Sequence, residues 1–255
     1  IHLTSGATLK DVVYKGQLNI SGVSNVTIED NEITESGENN YEIYVLGSGS
    51  NIRIENNDLS GLSGAPGDGC DAAVFEGGSA SLMNVTIAHN DIWFCSATLN
   101  DIEASEGAWT IEGNYIHDFA YADPGKSNHF DGIQFEGGGS ARAPTVFANN
   151  TDLMDFYQTS PVILSNDNSL ANTNRSITHN LLGGGDVCLY VAGTSSHPTT
   201  DSTFSKNDCS SLYIGANKTG SADEGGAFGY DAYWTPKTNI WSGNFSDDNG
   251  ASIAP

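Results

Sequence analysis

The chain has 255 residues, 16% of them charged, and 9 Lys+Arg stand against 32 Asp+Glu, a formal net charge of −23. Such a field repels nucleic-acid phosphates and anionic membrane surfaces, both of which call for a basic footprint. The 38% hydrophobic content and 30 glycines describe a core-forming chain with many turns and exclude intrinsic disorder, and no run of about 18 apolar residues is present to form a spanning helix.

Taken in chain order, the elements are short alternations of β-branched residues, first Val26-Thr27-Ile28 and then Ile52-Arg53-Ile54, the pattern of a strand with one buried face. Each feeds one recurring phrase, apolar-x-x-Asn-x-apolar: Ile28…Asn31…Ile33, Ile54…Asn57…Leu59, Ile87…Asn90…Ile92, Ile111…Asn114…Ile116 and Ile177…Asn180…Leu182. Weaker copies are Phe204…Asn207…Cys209 and Phe147…Asn150, the latter read with one residue inserted before Leu153. The successive asparagines lie 26, 33, 24, 36, 30 and 27 residues apart. Asn is expected to take the left-handed or bridging conformation of a sharp corner, with a second short strand after it. A third strand per repeat is expected at 42–46, 71–75, 131–135, 161–164 and 187–190.

No such unit buries its apolar face alone, so stacking must supply the core. The expectation is one all-β domain over 1–255: a right-handed parallel β-helix (solenoid) of about eight rungs, three short strands per rung. Loop insertions are expected near 60–70, 117–130 and 219–239. A β-sandwich would require turns every 8–12 residues or so and no repeating phrase.

With that repeat, the chain from about Gly6 to Phe245 resembles the pectin-lyase-like superfamily of carbohydrate-active β-helix proteins. The phrase Asn128-His-Phe-Asp-Gly-Ile-Gln134 is similar to the His-x-Asp-Gly turns of such proteins. The resemblance implies the fold and a polysaccharide partner; it does not choose among lyases, glycosidases, epimerases and tailspikes, which share the architecture. The Gly-His-Gly phrase of polygalacturonases is missing, so that family's residues are not carried over. Asp123-Pro124 is followed by Gly125, which breaks the Asp-Pro-His phrase of alginate epimerases.

The frame Asp71-x-x-x-x-Glu76 recurs as Asp101-x-x-x-x-Glu106 and Asp131-x-x-x-x-Glu136. If the slots are equivalent, three Asp and three Glu stack into ladders at about 4.8 Å per strand. Like charges that close require protonation or a cation, so Asp71, Asp101 and Asp131 are a candidate Ca²⁺ site. The parity of Ile102 leaves open a slip of one residue that presents Glu103, and solvated corner residues are the plainer alternative. Carboxyls about 5 Å apart suit a retaining glycosidase, and about 6.5–9.5 Å an inverting one.

The loop from His117 to Asp131 places Lys126 and His129 beside that ladder. The candidate catalytic residues are therefore Asp131, His129, Lys126, Glu136 and Asp101, with Tyr121, Trp93 and Arg142 for substrate binding. His89 and His179 share one repeat position and read as parts of the repeat. The aromatic-rich 219–239 loop is read as a cap on the final rungs or a groove wall.

Cys70, Cys95, Cys188 and Cys209, with the Asn-x-Ser/Thr triplets starting at Asn19, Asn25, Asn84, Asn149, Asn174, Asn217 and Asn244, fit an oxidising, extracellular compartment. Pairings 70–95 and 188–209 are expected from spacings near one repeat; four buried thiols are the alternative. Ile1 opens the chain with no signal-like segment after it, the look of a mature or trimmed product. The sequence thus points to a secreted polysaccharide-acting protein. The leading expectation is a lyase cleaving a uronic-acid-containing polymer by β-elimination. A carboxylate-pair glycoside hydrolase and a non-catalytic solenoid such as an adhesin, surface filament subunit or tailspike-type module remain open. Oligomeric state is not legible.

Overall fold

The computed structural model describes residues 1–35, 37–63, 69–77, 82–95, 100–104, 107–119, 131–137, 144–154, 160–165, 170–185, 187–191, 195–210, 230–231 and 238–253, without the side chains of 37–40, 82–83, 100, 101, 103, 230 and 231. The described elements are all strands, in three sheets of parallel pairing. Sheet I has nine strands from Thr8–Lys10 to Ile240–Ser242, sheet II nine from Val13–Lys15 to Phe245–Ser246, and sheet III eight from Leu18–Ser21 to Tyr230–Asp231. In each sheet the neighbours are every third strand of the sequence. The chain thus passes through I, II and III in turn and returns to I one strand further on, an order consistent with the expected parallel β-helix.

Alternation sets the register. In sheet I, Ile28, Ile54, Ile87, Ile111, Phe147, Ile177 and Phe204 are cross-strand partners in one row, and all are fully buried. Slipping one strand by a residue would turn its whole apolar set outward, at about 1.5–3 kcal/mol for each large side chain exposed. The row in sheet II runs Ile33, Leu59, Ile92, Ile116, Asp152, Leu182 and Cys209. Asp152 fills an apolar slot there. The one-residue insertion expected before Leu153 is absent, and the acid itself is the inward residue.

The corner between sheets I and II carries an asparagine ladder. Asn31, Asn57, Asn90, Asn114, Asn150, Asn180, Asn207 and Asn244 are buried. Each Nδ2 donates to the Oδ1 of the next, at 2.9–3.1 Å. The same Oδ1 accepts the backbone N–H of the preceding ladder residue, as from Asn90 to Asn114 at 3.0 Å, while Nδ2 also donates to a strand carbonyl, as Asn114 to Ile87 at 3.0 Å. The left-handed residue is the one before each asparagine: Asp30, Asn56, His89, Asn149, His179 and Lys206 have φ of 56–58°. The expectation that the ladder asparagine itself turns the corner is corrected. Its amide is committed to the stack, and the exposed neighbour supplies the bend. Asn244, the first residue of one triplet, is buried in this ladder with both polar side-chain atoms engaged, so it has no room for a glycan.

Both disulfides form as expected, Cys70–Cys95 with Cα atoms 4.5 Å apart and Cys188–Cys209 with 5.9 Å. Each ties one pass through the sheets to the next, which fits an oxidising environment. No described helix is long and apolar enough to cross a membrane. Replacing Cys70 and Cys95 together by Ala is expected to lower stability by about 2–4 kcal/mol, chiefly by freeing the unfolded chain. Urea midpoints of oxidised wild type and variant check this; an unchanged midpoint contradicts it.

Candidate functional site

The outer face of sheet III gathers the groups best suited to a glycan. Ile43, Val74, Ile102, Ile133, Val162 and Leu189 are in register and face inward. The next residues along therefore form an outer row: Tyr44, Phe75, the Glu103 position, Gln134, Ile163 and Tyr190. Strand spacing of about 4.8 Å makes it a strip running across the strands.

One end of the strip is aromatic. The Phe75 ring lies 4.2 Å from Tyr41 with 9° between planes and 5.9 Å from Tyr44, and the two tyrosines are 5.4 Å apart. All three are partly exposed. Gly77 permits this packing, because a Cβ there would overlap the Tyr44 ring and hydroxyl. Further along, Gln134 Nε2 donates to Glu136 Oε1 at 2.5 Å, so an amide and a carboxylate stand as a fixed pair. Stacked aromatic faces followed by paired polar groups form a sugar-binding arrangement in chemical terms, apolar for the ring face and polar for the hydroxyls.

An inward cation braces this strand. Arg175 is 1% exposed and donates to the Glu136 carbonyl at 2.7 Å, Thr145 Oγ1 at 2.9 Å and Asn172 Oδ1 at 3.2 Å. Its guanidinium lies 5.4 Å from the Phe135 ring centre. Burial lowers its pKa to about 10, and the Glu76 charge opposes that; it stays cationic at neutral pH. Sequence reasoning missed it, although Arg175-Ser-Ile177 sits where Val26-Thr-Ile28 and Ile52-Arg-Ile54 have an apolar first residue. A cation in a core slot was the available signal.

The acid ladder does not form as expected. Ile133 pairs with Ile102, and Ile102 with Val74; Asp131 therefore opposes Asn100, and Asp101 falls at the Gly132 position. Asp71 lies one residue before the strand position equivalent to Asp131. The three Asp occupy three different slots, because the inward isoleucines and valine fix the pairing. The slip that brings Glu103 into the outer row is the arrangement present. The basis for a Ca²⁺ site shared by Asp71, Asp101 and Asp131 is therefore lost. Among the described residues, the acid–sulfur group of Glu42 with Cys70 and Cys95 offers no thiolate, since those sulfurs are bonded to each other.

Asp71 and Asp131 are buried at 1% exposure. Asp131 begins the strand Asp131–Phe135 on its inward parity, next to Asp152, whose pKa is held well above the carboxylate range by burial first and by Asp131 second. A Cβ on Gly132 would overlap the Asp152 carboxyl, so the Asp-Gly pair lets one acid pack against the backbone beside the other. Glu136 is half-buried at the end of that strand.

Trp93 lies elsewhere, on sheet II, its Nε1 donating to Asp58 Oδ1 at 2.5 Å. The strand of Trp93 does not border that of Asp131, so Trp93 is not brought together with the candidate residues of sheet III. Also on sheet II, His117 Nε2 and Nδ1 each lie 2.8 Å from a carboxylate, of Asp91 and Asp118, with Tyr115 stacked on the imidazole at 3.9 Å. Lys126, His129, Tyr121 and Arg142, and the 219–229 and 232–237 parts of the aromatic loop, lie outside the described residues.

No family model, curated protein or solved structure matches this chain.

Proposed function

We propose that this chain is an extracellular, polysaccharide-acting protein of right-handed β-helix architecture, with its polymer lying along the outer face of sheet III. The observation that carries the reading is the stacked Tyr41, Tyr44 and Phe75 platform continuing in register to Gln134 and Glu136. A polymer needs an extended, repeating surface, and stacked strands supply one.

The reaction favoured is β-elimination on a uronic-acid-containing chain. A base takes the C5 proton, the C4–O bond breaks, and the leaving oxygen takes up a proton as the C4=C5 double bond forms. Lys126 and His129 are the candidate bases, since both precede Asp131 at the start of the strand that bears Gln134. Asp131, being inward, serves this reading by positioning that strand. Hydrolysis by Glu136 with a second carboxylate, at Asp101 or Glu103, is the competing chemistry. A net charge of −23 opposes a polyanionic substrate, so elimination is expected to need a divalent cation such as Ca²⁺ in solution or at the site.

The test is incubation with pectate, alginate, glucuronan and neutral glycans, following ultraviolet absorbance of unsaturated ends together with reducing ends. Elimination raises both and hydrolysis only the second. A binding module raises neither, and that result overturns the enzymatic part of the reading. Phe75→Ala is expected to weaken glycan binding about 5- to 30-fold through loss of ring stacking worth about 1–2 kcal/mol. Binding equal to wild type in affinity electrophoresis takes the platform out of the site.

A further inference from the structure

A second recess opens on a different face, at the corner between sheets I and II near the C-terminal strands. It is an open recess of about 520 Å³ lined by Asn149, Thr151, His179, Leu181, Lys206, Asp208 and Phe245 over the ladder residues Asn150 and Asn180. The repeat itself builds it. Asn149, His179 and Lys206 occupy the same left-handed corner position on three successive passes. Thr151, Leu181, Asp208 and Phe245 are register partners in the neighbouring outer row of sheet II. One wall thus carries two basic side chains, and the other an acid between two apolar groups.

We propose that this recess binds a single acidic sugar unit, its carboxylate held by Lys206 and His179 and its ring lying against Phe245. Three features of the recess select that chemistry. Lys206 and His179 are exposed and have no ion-pair partner among the described residues, whereas the exposed cations Lys10 and Arg53 are held by Glu29, Asp30 and Glu55. In so acidic a chain, a lysine and an imidazole on adjacent passes give an anion two N–H donors side by side. Phe245 is 37% exposed, a ring face of the kind sugars cover. Asp208 Oδ1 is buried with no hydrogen-bond partner among the described residues, and burial, with Asp247 second, raises the Asp208 pKa. Asp208 is thus suited to donating to a sugar oxygen or accepting from a hydroxyl. The ladder amides beneath are already engaged with each other, so recognition falls to the walls.

The site is independent of the sheet III reading, and either can fail alone. The experiment is titration of isotopically labelled protein with galacturonic acid, glucuronic acid, glucose and inorganic phosphate, read by amide and imidazole chemical shifts. Saturable shifts at His179, Lys206 and Phe245 with the sugar acids are expected, with glucose at least about 5-fold weaker. Lys206→Ala should weaken uronate binding about 10-fold, the effect of removing one charge-assisted contact, and Lys206→Arg should recover part of it. Phe245→Ala should weaken the uronates while leaving phosphate unaffected. Phe75→Ala, on the other face, should leave the shifts at His179, Lys206 and Phe245 unchanged. Shifts confined to other faces, equal binding of glucose, or phosphate binding as tight as the uronates would each overturn the proposal.

Discussion

Asn114→Ala is expected to destabilise the fold by about 3–5 kcal/mol. Asn114 Oδ1 accepts both the backbone N–H and the side-chain Nδ2 of Asn90, each at 3.0 Å, and its own Nδ2 donates to the Ile87 carbonyl at 3.0 Å and to Asn150 Oδ1 at 3.0 Å. Truncation orphans two donors and an acceptor inside the protein. Each orphan costs about 1–3 kcal/mol, with part of the total relieved if water enters the space. Asn25→Gly is the control. Asn25 is exposed at φ 59° and its side chain accepts from Asn51 Nδ2 at 3.0 Å, so glycine keeps the backbone and the change stays within about 1 kcal/mol. Urea titration separates the two, and equal midpoints for Asn114→Ala and wild type would mean that the ladder decorates the corner without holding it.

The opposite effect is expected at Asp152, where Asp152→Asn should stabilise the protein at neutral pH. Neither carboxyl oxygen of Asp152 has a hydrogen-bond partner among the described residues; burial and Asp131 raise its pKa well above the ordinary value. The folded protein therefore holds a proton that the unfolded chain releases near the normal carboxylate pKa of about 3.9. Between that pH and the raised folded pKa, the native state binds the extra proton and stability falls as pH rises, by about 1.4 kcal/mol per pH unit from this one group. Below the window the group contributes no slope. Asn has nearly the same shape and cannot ionise, an NH2 standing where the acid has its OH, so the substitution removes the ionisation with little change in packing. Wild type should lose stability from mildly acidic to neutral pH more steeply than the variant, and superimposable pH profiles would contradict the assignment.

The rows of the fold were legible because they repeat. The Ile–Asn–Ile phrase marks the sheet I strand, the ladder position and the sheet II strand in succession, and its period equals one pass through three sheets. Asp152 is not legible because an acid in an apolar slot breaks the very pattern that marks the slot, and the phrase aligns instead on Leu153. Arg175 escaped for the same reason. The acid ladder misled in another way. Matching Asp71–Glu76 to Asp131–Glu136 aligned letters, while the pairing follows inward volume, which puts Val74 beneath Ile133 and shifts every acid by a residue. Tyr41, Tyr44 and Phe75 lie 34 residues apart from first to last, and no local phrase unites them. Stacking of passes brings them together, so the platform became visible only with the register.

The central claim is that a polysaccharide lies along the outer face of sheet III. Hydrogen-exchange protection by an oligosaccharide of whichever glycan the protein binds tests it most directly. The account predicts slowed exchange along the strands of Tyr44, Phe75 and Gln134, with the face of sheet II bearing Trp93 unchanged. Protection centred on the Trp93 and His117 face, with none at Phe75 or Gln134, would contradict it.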